Sequence, residues 1–313
     1  MHGGVPALPL MRAGVIRNPR SHANRQVVDG GLSADVLYAA PPTPRILADE
    51  LVRFAREGVE LVVIDGGDGT VREVVSALPA AYGDAAAPLL AALPSGKTNI
   101  LARDLGVPRG WTVAAALAAA REGADVTVRA PLQVSREGGG APLSGFVFGA
   151  AGFVRAINRS QRLHRAGVFH DAVVAVGLAG AAAGLLMGGR SGVWARGEAL
   201  SLSLDGGAWR TGDRLVMIAT TLQQFPWGLR PFGPVRPGLK VLDVDAPPQQ
   251  LLRALRLLLW GEAEGWLAAH GYRRGDARRV RLSLPGAFVL DGETYPGGEL
   301  TLAEGPPLRF LRP

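Results

Sequence analysis

The stretch Leu61-Val-Val-Ile-Asp-Gly-Gly-Asp-Gly-Thr70 constrains this chain more than any other. Its apolar, β-branched start predicts a buried strand that stops at Gly66 and Gly67. Val71 to Leu78 follows with apolar residues at helical spacing. A strand, a glycine turn and a helix start are the parts of a phosphate cradle. Glycine lets the backbone approach a ligand, and the free N–H groups and helix dipole favour an anion. Asp68 is the odd member, because a carboxylate beside phosphates repels them unless a cation intervenes. The pattern therefore points to a metal-bound polyphosphate such as Mg-ATP. The plainer reading of the same residues is a tight strand-to-helix turn with a solvated Asp.

The flanking segments extend the alternation. Ala13 to Ile16 reads as a first strand, entering the loop Asn18-Pro-Arg-Ser21, and Ala34 to Tyr38 as a second. Thr43-Pro44 is an N-cap followed by proline at the first helical position, with a helix through Leu47, Leu51 and Phe54 to Gly58. Pro88 to Leu93 reads as a strand, Pro94 to Asn99 as a loop, and Ile100 to Leu105 and Trp111 to Arg121 as helices. Alternating strands and helices predict a parallel sheet flanked by helices.

After about Asp125 the rhythm changes. Strands are expected at Val126–Val134, Phe146–Phe148, Glu198–Leu204, Leu215–Thr220, Lys240–Val244 and Arg279–Leu284. Hairpin turns are expected at Gly138–Gly140 and Asp205–Gly207. The expectation is an α/β nucleotide-binding domain over residues 1–128 and a β-rich, sandwich-like domain over 129–304. The tail 305–313 is a candidate to pack back on the first. Ala172 to Met187 is uncharged and small-residue rich, which reads as a buried helix rather than a membrane span. Gln249 to Trp260 reads as a helix carrying Leu251, Leu252, Leu255, Leu258 and Leu259 with Arg253 and Arg256.

Composition excludes some chemistry. Cysteine is absent from the 313 residues, so disulfides, thiolate catalysis and thiolate metal sites are out. The five histidines show no ligand spacing. No secretory signal is evident at the N-terminus. The net charge of +7 suits an anionic partner. There is no interleaving of aromatic and basic residues of the kind that stacks bases, so no nucleic-acid partner is expected. The excess charge is nearly all arginine. The two lysines are Lys97 and Lys240, and Lys97 sits in Pro94-Ser-Gly-Lys-Thr-Asn99. That loop is not a P-loop, since Ala91 occupies the position of the required first glycine. Lys97 and Thr98 remain candidates for phosphate contact, against a solvent-facing loop lysine.

Three motifs in this order resemble the diacylglycerol kinase catalytic family, which includes bacterial lipid kinases and sphingosine kinases. They are Gly66 to Thr70, then Pro94, Gly96, Asn99, Ala102, Arg103, Leu105 and Gly106, then Asp291-Gly-Glu293. Asn18-Pro-Arg-Ser21 resembles the family's first loop, with His22 in place of its glycine. The resemblance implies an α/β nucleotide domain followed by a β-rich domain, with the active site between them. It implies transfer of the ATP γ-phosphoryl group to a lipid hydroxyl.

On this resemblance Asn18, Gly66, Gly67, Gly69, Thr70, Gly96, Lys97, Thr98 and Asn99 hold the nucleotide. Asp68 acts through Mg²⁺ or its waters, with Asp291 as a second candidate metal ligand. Glu293 is the general base, against a plain hairpin-turn carboxylate. Lys97, Ile100, Arg129 and Val154 stand where many relatives carry Thr and three Asp, so the auxiliary metal network is depleted here. The expected partner is a lipid presented at the inner face of a membrane, with a cytoplasmic, peripherally associated protein. No stable protein partner is expected, and a homodimer is left open. The helix Leu251–Trp260 and Arg273, Arg274, Arg278 and Arg279 are candidates for the anionic surface, against a core-packed helix and a solvated basic turn. The rival readings are a soluble-substrate kinase of the NAD kinase kind and a nucleotide-binding regulator without turnover.

Overall fold

The computed structural model describes residues 11–21, 24, 36–83, 85–155, 197–225, 228–260 and 263–313. The helix expected over Ala172–Met187 lies outside these residues. The chain divides into two compact units, residues 1–128 with 308–313, and residues 129–307.

The first unit is a six-stranded sheet flanked by helices. Its strands are β1 (Ala13–Arg17), β2 (Val36–Ala39), β3 (Leu61–Gly66), β4 (Leu89–Pro94), β5 (Val126–Arg129) and β15 (Leu308–Leu311), in the order β2-β1-β3-β4-β15-β5. The pairings of β1 with β2 and β3, of β3 with β4 and of β4 with β15 are parallel. β3 and β4 are buried along nearly their whole length, as parallel strands covered on both faces must be. Helix α1 (Pro44–Arg56) starts where Thr43 accepts a hydrogen bond from the Ile46 N–H, and it buries Leu47, Leu51 and Phe54. Helix α2 (Asp68–Tyr82) begins earlier than its apolar pattern alone suggested, because Asp68, Gly69 and Thr70 form its first turn. Helices α3 (Ile100–Asp104) and α4 (Val113–Arg121) complete the unit.

The strand expected over Val126–Val134 is two strands. Pro131 lies between β5 and β6 (Leu132–Arg136), and the two strands belong to different sheets. Proline lacks the N–H that a continuous ladder needs.

The second unit is β-rich. It contains β6, β7 (Leu143–Gly145), β8 (Val147–Ala151), β9 (Glu198–Leu204), β10 (Arg210–Thr220), β11 (Leu239–Asp245), β12 (Tyr272–Ala277), β13 (Arg279–Leu290) and β14 (Glu293–Glu304). They run β12-β11-β10-β8-β13-β14-β6-β7, with β9 pairing both β10 and β13. The long strands change neighbours part-way. β13 pairs with β9 over Val280–Ser283 and with β8 over Phe288–Leu290, and its ladder with β14 slips between Leu284 and Ala287. Such irregularities bend a strand and let a sheet wrap around its own core. That core includes Leu132, Phe148, Leu202, Met217, Leu282, Phe288 and Leu300. Helices α5 (Leu251–Trp260) and α6 (Glu264–Ala269) connect β11 to β12.

Arg273 and Arg274, read either as facing an anionic surface or as a solvated basic turn, lie in strand β12. Arg273 donates to Asp243 at 3.0 Å and to Asp245 at 2.8 Å, and Arg274 pairs with Glu264. Asp243, 1% exposed at its side chain, also meets Arg210 and Arg214. Burial raises the Asp245 carboxyl, but the hydrogen bond and charge of Arg273, with Arg214 and Arg210, outweigh it and hold the group below its ordinary range. Arg210, Arg214 and Arg273 together neutralise the buried Asp243.

A candidate nucleotide cradle and a separate DGE hairpin

In the first unit three loops meet at the carboxyl ends of β1, β3 and β4, the place where open α/β sheets take ligands. Asn18 joins the first two. Its N–H donates to the Asp65 carbonyl at 2.9 Å, its Nδ2 donates to Thr70 Oγ1 at 2.9 Å, and its Oδ1 accepts from the Arg20 N–H at 3.0 Å. Asn18 therefore positions the turn, with its side chain committed to protein partners.

The second and third loops touch backbone to backbone. A Cβ on Gly96 would stand 2.5 Å from the Gly67 Cα, and one on Gly67 would stand 3.0 Å from the Gly96 Cα. Neither position tolerates a side chain without separating the loops. Gly69 differs. It lies in the first turn of α2, and an added Cβ would meet nothing within 4 Å. No neighbour among the described residues requires glycine there. The open space lies at a helix N-terminus, where the first-turn N–H groups have no helical acceptor.

Asp68 is tied to the third loop. Its carboxylate accepts from Thr98 Oγ1 and, at 2.7 Å, from the Ile100 N–H, so it caps α3 from across the cradle. Burial raises its pKa above the usual carboxylate value, and hydrogen bonds from Thr98 and the backbone around Ile100 offset this in part. Asn99, at φ 50°, is folded into its own loop. Its Oδ1 accepts from the Gly96 N–H, and its Nδ2 donates to the carbonyls of Pro94 and Gly96. Its amide is thus occupied in shaping the loop. Lys97 is exposed at the tip of that loop, and Thr70 is buried beneath the cradle.

Sequence reasoning missed a buried polar layer under the glycines. Asp65 accepts from Ser95 Oγ, and its Oδ2 lies 3.6 Å from Arg17 Nε. Its carbonyl also accepts from Asn24 Nδ2 at 3.0 Å. All four residues are buried. The signal was present: a carboxylate inside an apolar strand must be paired to be buried.

Asp291 and Glu293 lie in the second unit. Asp291 (φ 46°) and Gly292 (φ 87°) form a two-residue turn between β13 and β14 that requires positive φ at both positions. The Asp291 carboxylate accepts from the N–H groups of Phe146 and Val147, fastening the turn to the start of β8. This is a structural duty, and it leaves little of Asp291 for a metal. Glu293 is exposed beside the turn. Among the described residues no group of three His, Asp or Glu side chains could hold a metal ion. Arg155, near the family's missing Asp, pairs with Glu198 at 2.6 Å.

The chain thus pairs an α/β unit, with glycine-bearing loops at the carboxyl ends of its strands, with a β-rich unit. Residues 13–130 match the diacylglycerol kinase catalytic domain family, in agreement with the motif resemblance. Solved structures from Bacillus anthracis str. Sterne share the fold. One described as a diacylglycerol kinase aligns with a TM-score of 0.64 at 15% identity, covering 98% of each chain. Two others, provisionally described the same way, align at 0.68 with 15% identity over 98% of each chain, and at 0.66 with 16% identity over 99% of each. The comparison with curated proteins returned no match. No helix among the described residues is long and apolar enough to cross a membrane.

Proposed function

We propose that this protein is an ATP-dependent lipid kinase, transferring the γ-phosphoryl group to the hydroxyl of a diacylglycerol-like or sphingoid-like lipid. The observation that carries the reading is the open space at Gly69, which no described residue fills, inside a segment that matches the diacylglycerol kinase catalytic domain.

The first-turn N–H groups of α2 hold phosphate oxygens, and Lys97 adds a point charge from the facing loop. Because the Asp68 oxygens already accept from Thr98 and Ile100, Asp68 fits a role at the edge of a hydrated cation better than direct ligation. A bound Mg²⁺ would neutralise charge on the phosphates. Glu293 is the general base in this reading, and its exposed carboxylate is open to a hydroxyl. The acceptor oxygen gives its proton to Glu293 and bonds to the γ-phosphorus, while the bond from that phosphorus to the bridging oxygen of ADP breaks. The lipid is met at the inner face of a membrane.

Incubating the protein with γ-labelled ATP, Mg²⁺ and either a lipid extract or NAD tests the assignment. A labelled lipid is expected. Labelled NADP would replace the reading with a soluble-substrate kinase. ATP binding with no labelled product from any hydroxyl would leave a nucleotide-binding regulator.

A further inference from the structure

Helix α5 is apolar on more of its circumference than its packing uses. Ala254 and Leu258 are its buried positions. At 3.6 residues per turn, the outward arc runs through Leu255, Leu259 and Leu252, then through Arg256, Trp260 and Arg253. Leu252 is 62% exposed and Trp260 59% exposed. The helix carries no acidic residue. Arg253 stacks on the Trp266 ring of α6 at 4.5 Å, which fixes its charge at one margin of the face. Glu264, at the start of α6, is engaged by Arg274.

We propose that this outward face of α5 docks on an anionic phospholipid bilayer. Leucines on one side, arginines on the other and an exposed indole between water and apolar contact form the pattern of an interfacial helix. Two features favour a bilayer over a second copy of the chain. Self-pairing of this face would bring Arg253 and Arg256 of two copies together with no carboxylate on either helix. A ten-residue helix also offers far less than the roughly 800 Å² per partner that a stable interface needs. Lipid headgroups supply the missing negative charge, and acyl chains accept Leu252 and Trp260 singly. The inference deepens the lipid-kinase reading and rests on it, since such an enzyme must meet its substrate at a membrane.

The test is co-sedimentation of the full chain with vesicles of phosphatidylcholine and with vesicles of phosphatidylcholine plus phosphatidylglycerol. The wild type is expected to bind the anionic vesicles and to lose them at high salt. Two surface arginines contribute about fivefold each, so Arg253→Gln with Arg256→Gln should weaken anionic binding about 30-fold. Leu252→Ser with Trp260→Ser should weaken it further, with melting temperatures confirming that both variants fold. Equal wild-type binding to both vesicles, or variants that bind as the wild type does, would overturn the proposal. A dimer lost in the Leu252→Ser, Trp260→Ser variant, read by sedimentation velocity, would overturn it in favour of self-association. Phosphorylation of a short-chain, monomeric diacylglycerol is measured in parallel without vesicles. Vesicle binding without that product would refute the kinase reading and not the docking face. Product without vesicle binding would do the reverse.

Discussion

Gly69→Ala separates a glycine kept for the fold from a glycine kept for a ligand. The position is helical, in the first turn of α2, and an added methyl meets no protein atom within 4 Å. Alanine in place of glycine restricts the unfolded chain and favours the helix, by about 0.5 kcal/mol this close to the terminus. The melting temperature should therefore rise by about 1–2 °C. The methyl would enter the space where phosphate is expected. Losing one charge-assisted N–H contact costs about 1.5–3 kcal/mol, so the Kd for ATP should rise about 10- to 150-fold. Gly96→Ala is the contrasting variant. Its Cβ would lie 2.5 Å from the Gly67 Cα and 2.9 Å from Asn99 Oδ1, so the loops must part. Overpacking of this kind costs about 1–3 kcal/mol, and the melting temperature should fall. Scanning fluorimetry and titration calorimetry with ATP read both quantities. Unchanged ATP affinity in Gly69→Ala would refute the cradle, and a fall in its melting temperature would show that the space is not open.

Asp68→Asn should stop phosphoryl transfer yet melt at or above the wild-type temperature at neutral pH. The folded-state pKa of Asp68 is raised, so folded protein binds more protons, and its stability is highest below the ordinary Asp value and declines as pH rises through the raised one. The advantage of the Asn variant should therefore vanish in melts toward pH 4, and a variant that is equally less stable at both pH values would contradict the burial argument. Glu293→Gln should bind ATP normally in calorimetry and lose mainly kcat, and loss of ATP binding would remove it from the role of base. Asp291→Ala should destabilise by about 2–4 kcal/mol in urea, from two unsatisfied backbone donors and a positive φ. A fully stable but magnesium-insensitive variant would restore Asp291 as a ligand.

The first unit was largely legible because its signals are local. β3 announces itself by an apolar run, and α1 by Thr43, Pro44 and the Leu47, Leu51, Phe54 spacing. The motif glycines could be found by spacing, but their separate reasons could not, since the Gly67–Gly96 contact joins loops 29 positions apart in the sequence. Asn18 and Asn99 show the same limit. Their positions were found, while the hydrogen bonds that occupy their amides are tertiary facts. In the second unit Arg273 read either as membrane-facing or as solvated, because its partners Asp243 and Asp245 lie on another strand. Strand β14 was not anticipated, although the Asp291-Gly292 turn that starts it was.

Strand β15 bears on how the chain is made. It lies between β4 and β5, with Phe310 beside Leu90, and Phe310 is fully buried. During synthesis, β4 emerges more than two hundred residues before the strand that covers its edge. Until then the nascent first unit exposes a ladder edge and an apolar slot where Phe310 belongs, a site for wrong pairing or for a chaperone. A fragment cut at residue 130 would carry every glycine of the cradle and still lack an interior strand of its sheet.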